Sequence, residues 1–111
     1  MSDLVIEILS FTGCPNAEQA RSNAQEAARQ EGVVAQMAEV EVDTPELALS
    51  HKFLGSPSVR VDGTDVEEEA EMRREYGLMC RAYNDGKGFV GVPSIEMIRE
   101  AIKRRSTDPT I

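Results

Sequence analysis

Two cysteines and one histidine are the residues best suited to nucleophilic or metal chemistry in this chain of 111 residues. Cys14 lies in the stretch TGCPNA, whereas His51 and Cys80 lie far from it along the sequence. A cysteine thiolate attacks disulfides and peroxides and binds soft metals. A structural zinc site needs paired ligands at short spacings, which these three residues lack. We therefore expect thiol chemistry at Cys14 and no bound metal or other cofactor.

The elements on either side of Cys14 would activate its sulfur. Residues 4–11 form a hydrophobic run that predicts a buried strand, and residues 16–31 place alanines on one face of a predicted helix. Gly32 ends this helix at a position where a left-handed cap is common. A sulfur at the helix start lies near unpaired N–H groups and the positive end of the helix dipole, which favours the thiolate. Pro15 is expected in the first helical turn, where its missing N–H is tolerated.

The rest of the chain continues the alternation of strands and helices. Residues 36–42 alternate as a half-exposed strand, and Thr44-Pro45-Glu46 starts a short helix. The sequence SVRVDG predicts a third strand that ends in an Asp-Gly turn, and LMCRAY predicts a fourth strand. The acidic run DVEEEAEMRREY lies between them and is expected to form a solvated face. A final amphipathic helix begins at Pro93-Ser94.

This order predicts an α/β fold. We expect a four-stranded mixed sheet with helices on both faces and an acidic segment inserted before the fourth strand. The chain is long enough for one compact domain and too short for two. That domain is expected to span residues 1–105, followed by a flexible tail at residues 106–111.

Composition argues against several classes of partner. The net charge of −8 disfavours nonspecific binding to nucleic acid or to anionic lipid, because both need a basic surface. The longest uncharged stretch, residues 8–17, is about half of the roughly 20 residues that a membrane span requires. The N-terminus is acidic where a signal peptide would be basic, so we expect a cytoplasmic protein with reduced thiols. The sequence leaves the oligomeric state open.

Several motifs, in this order, resemble the thioredoxin superfamily and in particular a small bacterial thioredoxin-like subgroup: FTGCPNAEQA after the first strand, HKFLGSPSVRVDG, VDGTDVEEEAE, YGLMCRAY and GVPSIEMIREAI. The resemblance covers residues 4–104 or so. It implies that Cys14 is the nucleophile and that a cis peptide bond precedes Pro57. It also implies that Pro15, Ser56 and Pro57 contact the substrate, a thiol or disulfide of a protein or a small molecule. The cis bond would expose the Ser56 backbone to an extended substrate.

One position departs from the dithiol pattern of that superfamily. Ala17 stands where a resolving cysteine would follow the nucleophile, so the implied dithiol mechanism fails at this residue. A mixed disulfide at Cys14 could instead be resolved by a small thiol or by Cys80. A direct bond between the two cysteines requires Cα atoms about 4.4–6.8 Å apart, which the sequence alone does not establish.

Alternatives stay open at both cysteines. Cys14 could be a small apolar residue at a strand end, and Cys80 could fill the core of a strand. The leading hypothesis is a thiol-dependent redox protein that acts on disulfides or mixed disulfides. One alternative is soft-metal capture by the two thiols, including organomercurial handling. Another is a noncatalytic adaptor that binds its partners in the groove beside Pro57.

Overall fold

The first half of the fold follows the hydrophobic pattern of the sequence. The computed structural model describes residues 4–106. Its elements in chain order are β1 (Leu4–Ser10), α1 (Ala17–Glu31), β2 (Ala35–Glu41), α2 (Pro45–Ser50), β3 (Ser58–Val61), β4 (Thr64–Asp65), a 3-10 turn (Ala70–Met72), β5 (Tyr83–Asn84), β6 (Phe89–Val90) and α3 (Ile95–Ser106). As predicted, α1 ends at Gly32, whose backbone is left-handed with a φ of 68°.

One mixed sheet carries its strands in the order β2-β1-β3-β4. β2 runs parallel to β1, with Leu4 opposite Ala35 and Ser10 opposite Glu41. β3 runs antiparallel to β1, and β4 returns antiparallel to β3. β5 and β6 pair separately as a short hairpin. The predicted four-stranded mixed sheet is confirmed.

Helices cover both faces of the sheet because β1 alternates its side chains between them. Ile6 and Ile8 pack with α3 and with the buried alanines of α1 on one face. Leu9 packs with Ala48 of α2 and with Phe53 on the other face. The small side chains of α1 let this helix lie close to the sheet. The expectation of helices on both faces is therefore confirmed.

The fourth strand is not the one that the sequence predicted. The Asp62-Gly63 turn leads directly into β4, so the acidic segment follows the fourth strand instead of preceding it. Asp62 and Gly63 both have positive φ, as a tight hairpin turn requires. A polar strand of two residues, Thr64–Asp65, shows no hydrophobic alternation. The sequence pattern therefore could not reveal it.

The LMCRAY stretch and the acidic run also differ from their predictions. Instead of a continuous strand, Tyr83 begins β5 and Cys80 forms an isolated parallel bridge with Ser56. Val66 and Ala70 in the acidic run are buried, so this segment packs onto the core on one side and is not wholly solvated. The segment after β4 is thus a structural part of the domain.

The C-terminal helix α3 includes Ser106, which was predicted to begin the tail. The rest of the predicted tail, residues 107–111, lies outside the described residues, as do residues 1–3. The last turn of α3 carries three basic residues that complement the negative end of the helix dipole. Within residues 4–106, every helix is too short or too polar to cross a bilayer.

Candidate thiol site

Cys14 lies in the loop between β1 and α1. Its thiol is free and the residue is half-buried. The Cys14 N–H donates to the Phe11 carbonyl at 3.2 Å, which closes a turn after β1. In the same loop, the Thr12 N–H and hydroxyl donate to the Asp43 carboxylate at 2.7 and 2.8 Å. The backbone bond, followed by the hydroxyl bond, lowers the pKa of Asp43 below its ordinary value. These contacts tie the loop to the residues after β2.

The start of α1 lies further from Cys14 than the sequence indicated. Asn16 is the N-cap and the helix begins at Ala17. Because a turn intervenes after Cys14, Pro15 precedes the cap and does not occupy the first helical turn, contrary to expectation. Pro15 is exposed. The Ala17 N–H donates to the Cys14 carbonyl at 3.5 Å, so the backbone of the cysteine still contacts the helix start.

Ser56 and Pro57 lie at the entrance to β3, beside the end of β1. The peptide bond between them is cis, and both residues are buried. The Ser56 hydroxyl accepts a long hydrogen bond from the Phe11 N–H at 3.4 Å. Phe11 therefore contacts Cys14 through its carbonyl and Ser56 through its N–H. The Cys14 loop and the start of β3 meet at this residue.

Cys80 also contacts the start of β3. It pairs with Ser56 in a parallel bridge; its thiol is free and the residue is exposed. The Ser56 N–H donates to the Met79 carbonyl at 2.8 Å, and the Arg81 N–H donates to the Ser56 carbonyl at 3.1 Å. Both cysteines are thus connected to Ser56. Cys80 is connected through its chain neighbours Met79 and Arg81, and Cys14 is connected through Phe11. The resemblance implied that the Ser56 backbone is open to substrate. In the structure, both its N–H and its carbonyl already form hydrogen bonds with residues of the same chain.

Directly after Cys80, Arg81 enters the protein interior with its side chain fully buried. Its Nη1 donates to Asp65 Oδ2 at 2.7 Å and to the Ser58 hydroxyl at 3.0 Å. Its Nη2 donates to Asp65 Oδ1 and to Glu67 Oε1, both at 2.9 Å. Burial alone lowers the pKa of Arg81, but the carboxylates, Asp65 first, outweigh burial and raise the pKa above its ordinary value. The buried arginine therefore stays charged.

Tyr83 completes this buried cluster. The Arg81 guanidinium lies 4.5 Å from the centroid of the Tyr83 ring, and the Tyr83 hydroxyl donates to the Pro57 carbonyl at 2.6 Å. Burial raises the pKa of Tyr83 well above its ordinary value. The sequence analysis missed this cluster. Its signal was a single arginine in the apolar alternation of LMCRAY, preceded by acids that could neutralise it.

His51 lies at the C-terminal cap of α2, and its carbonyl accepts a hydrogen bond from Arg60 Nη2 at 2.6 Å. Its backbone therefore has a structural role between α2 and β3. Across residues 4–106, no group of three or more histidine, cysteine, aspartate or glutamate side chains is arranged to hold a metal ion.

Comparison with known proteins agrees with this architecture. A family model for the thioredoxin domain matches residues 4–75, which is more than half of the chain and includes β1 through β4. The match ends before Cys80 and Arg81. No curated protein matches the chain significantly. The strand order β2-β1-β3-β4 and the extent of the family match lead to one conclusion. The chain belongs to the thioredoxin domain family.

Proposed function

We propose that this protein is a thiol-dependent redox protein in which Cys14 attacks the sulfur of a disulfide. Membership of the thioredoxin domain family supports a thiol-redox role. Cys14 is half-buried with a free thiol, and its N–H bonds to Phe11, whose own N–H bonds to the Ser56 hydroxyl ahead of the cis Ser56–Pro57 bond. The observation that carries the proposal is the set of hydrogen bonds that links both cysteines to Ser56: Cys14 is linked through Phe11, and Cys80 through its parallel bridge.

The first step is thiol–disulfide exchange. The Cys14 thiolate attacks one sulfur of the substrate disulfide and forms a mixed disulfide. The other half of the substrate leaves as a thiolate, which takes up a proton from water. The Cys80 thiolate then attacks the Cys14 sulfur and releases the second half of the substrate in the same way. The substrate gains two electrons, and the protein ends with a Cys14–Cys80 disulfide.

The cycle requires a reductant. An external thiol attacks the Cys14–Cys80 disulfide, and a second thiol equivalent completes its reduction while the external pair becomes a disulfide. In a shorter route that does not use Cys80, a small thiol attacks the mixed disulfide on Cys14 directly. The two routes differ in whether an internal disulfide ever forms.

Alkylation rates test the role of Cys14. Cys80 is the more exposed of the two residues, so accessibility alone would make it react faster. If Cys14 is the nucleophile, we expect iodoacetamide near neutral pH to label it roughly tenfold faster than Cys80 or more, because a catalytic thiol must react more readily than a bystander thiol. Timed quenching and peptide mass spectrometry give both rates in one sample, with Cys14→Ser and Cys80→Ser as matched controls. Equal and slow labelling of both thiols would overturn the proposal.

Oxidation tests the role of Cys80. After treatment with oxidised glutathione, the wild type is expected to lose two hydrogen atoms in mass and to stay free of covalent dimer, as an internal disulfide requires. Cys80→Ser is expected to accumulate a glutathione adduct on Cys14, and Cys14→Ser is expected to remain unmodified at Cys80. A wild type that keeps the adduct and never loses two hydrogens would assign resolution to a small thiol.

The same two free thiols support a second candidate, the capture of a soft metal ion. Thiolates are the side chains that soft metals select. Both thiols are free; Cys80 bridges to Ser56, and Cys14 is linked to Ser56 through Phe11. Native mass spectrometry with one equivalent of Hg²⁺ separates the candidates. One tightly held ion per chain that is lost in both single-serine variants, without faster alkylation of Cys14, would favour metal capture over redox chemistry.

A further inference from the structure

The resemblance to the thioredoxin superfamily implied that an extended, disulfide-bearing polypeptide would pair with the backbone of Ser56. The Ser56 backbone offers one donor, its N–H, and one acceptor, its carbonyl. Residues 79–81 use both of them, since the Ser56 N–H donates to the Met79 carbonyl at 2.8 Å and the Arg81 N–H donates to the Ser56 carbonyl at 3.1 Å. Residues 79–83, here named the docked segment, therefore occupy the pairing position along the start of β3.

Side chains hold the docked segment in place. The buried Arg81 guanidinium bonds to both carboxylate oxygens of Asp65 in β4 and to the Ser58 hydroxyl in β3. The Tyr83 hydroxyl donates to the Pro57 carbonyl at 2.6 Å. Displacing the docked segment would separate a buried charge from its partners, which is strongly unfavourable. An incoming strand would have to replace all of these contacts.

Gly55 shows how closely the docked segment approaches β3. Its φ is +121°, and a Cβ at this residue would lie 3.1 Å from the Met79 carbonyl oxygen and 3.1 Å from Arg81 Cβ. Glycine tolerates both the backbone conformation and the close approach. No room remains between Gly55 and the docked segment for a further strand.

We propose that the docked segment excludes extended polypeptide from the Ser56 backbone, and that the substrates of Cys14 are low-molecular-weight disulfides. This inference rests on the proposed function and narrows its substrate class to molecules that need no strand pairing. The docked segment lies outside residues 4–75, which match the family model. Cys80 is an exposed residue with a free thiol, so it stays available to resolve a small mixed disulfide.

Two disulfides with the same leaving group test the exclusion. In one, 5-thio-2-nitrobenzoate is joined to N-acetylcysteine amide; in the other, it is joined to a cysteine at the centre of an extended, uncharged peptide. Each rate with the protein is divided by the rate with free cysteine, which removes differences in intrinsic reactivity. We call the N-acetylcysteine amide compound the minimal disulfide. For the wild type, we expect the normalised rate with the peptide disulfide to be about equal to that with the minimal disulfide, or lower. A peptide preference of roughly tenfold or more would overturn the inference.

Tyr83→Phe tests the anchoring of the docked segment directly, because it removes the hydroxyl that donates to the Pro57 carbonyl and keeps the aromatic ring. We expect it to raise the normalised peptide rate about two- to fivefold while the rate with the minimal disulfide stays unchanged. Tyr76→Phe removes a tyrosine hydroxyl outside the docked segment and is the matched control, with both rates unchanged. Equal gains in the two variants, or no gain in Tyr83→Phe, would argue that the docked segment does not limit access.

Amide hydrogen exchange tests the inference without thiol chemistry. In the Cys14→Ser protein, the Arg81 amide is expected to stay protected when the reduced peptide is added in excess, because its bond to Ser56 persists. Loss of that protection would show displacement of the docked segment and would overturn the inference. If neither disulfide reacts with Cys14, the proposed function fails and this measurement still decides whether the docked segment excludes peptide.

Discussion

The two cysteines are carried by regions that are held in very different ways. The Cys14 loop is tied down by exposed polar contacts, chiefly the two bonds from Thr12 to Asp43. The docked segment that carries Cys80 is fixed by a buried arginine and a buried tyrosine. The proposed nucleophile therefore lies on a loop held by solvent-exposed hydrogen bonds, whereas the second thiol lies on a segment held by buried side chains.

Solvent determines this difference. Water screens the exposed Asp43 carboxylate that holds the Cys14 loop, so its contribution to stability is small. The docked segment carries one charge, Arg81, which is fully buried, so its loss leaves the Asp65 carboxylate without its cation. Substitutions in the two regions should therefore differ sharply in their effect on the free energy of unfolding.

The largest effect is expected for Arg81→Ala, which leaves Asp65 and Glu67 without their buried cation. We expect the free energy of unfolding to fall by roughly 3–5 kcal/mol, as measured by urea denaturation. Arg73→Ala is the matched control because Arg73 also pairs with Glu67 but is partly exposed, and its loss is expected to stay below about 1 kcal/mol. Similar losses for the two variants would contradict the assignment of Arg81 as the main anchor.

A smaller loss is expected for Gly55→Ala. The new Cβ would meet the backbone of the docked segment, and the φ of +121° is strained for alanine. We expect a loss of roughly 1–3 kcal/mol in thermal or urea unfolding. Gly88→Ala serves as the control, since a Cβ added at Gly88 would have no neighbour within 4 Å, and it should change stability by less than about 0.5 kcal/mol. A neutral Gly55→Ala would argue against tight docking of residues 79–83.

Tyr83→Phe is expected to have a moderate effect because the Pro57 carbonyl loses its hydroxyl donor while the ring still packs under Arg81. The expected loss is about 1 kcal/mol in the free energy of unfolding. Urea denaturation of this variant beside Tyr76→Phe isolates the contribution of the buried hydroxyl. Stability equal to that of the wild type would indicate that the bond to Pro57 does not hold the docked segment.

The smallest effect is expected for Asp43→Asn, which changes the residue that accepts the two Thr12 hydrogen bonds of the Cys14 loop. The bonds from Thr12 lower the pKa of Asp43 in the folded protein, so its stabilising contribution is present above the unfolded value of about 3.9. The contribution is lost as the pH falls through the lower folded value. The difference in melting temperature between wild type and Asp43→Asn should therefore be small at neutral pH and vanish in acid. A difference that grows on acidification would refute this account of the loop.

Local pattern was enough to predict the first half of the fold. β1, α1 and the Gly32 cap depend on periodicity and on neighbouring residues, so the sequence located them within a few positions. β4 has two polar residues, and its identity as a strand depends on pairing with β3, which no local pattern records. This is why the acidic segment was predicted on the wrong side of the fourth strand.

In the candidate site, too, some residues could be predicted from local sequence and others could not. Cys14, Ser56 and Pro57 were selected from short motifs, and these motifs lie in the part of the chain that matches the family. Arg81 was missed because a fully buried arginine is rare, and its partners belong to a run that was interpreted as a solvated face. Only the tertiary structure brings that cation and those acids together.

The docked segment has a further consequence for how this sheet meets other molecules. β4 pairs only with Arg60 and Val61, so it leaves the backbone at the start of β3 unpaired on that side. The docked segment forms hydrogen bonds with this backbone at Ser56. At the opposite edge, β2 exposes Glu39 and Glu41, and acidic side chains oppose the addition of another strand. Pairing with a foreign strand is therefore opposed by the chain's own backbone at the start of β3 and by acidic side chains along β2.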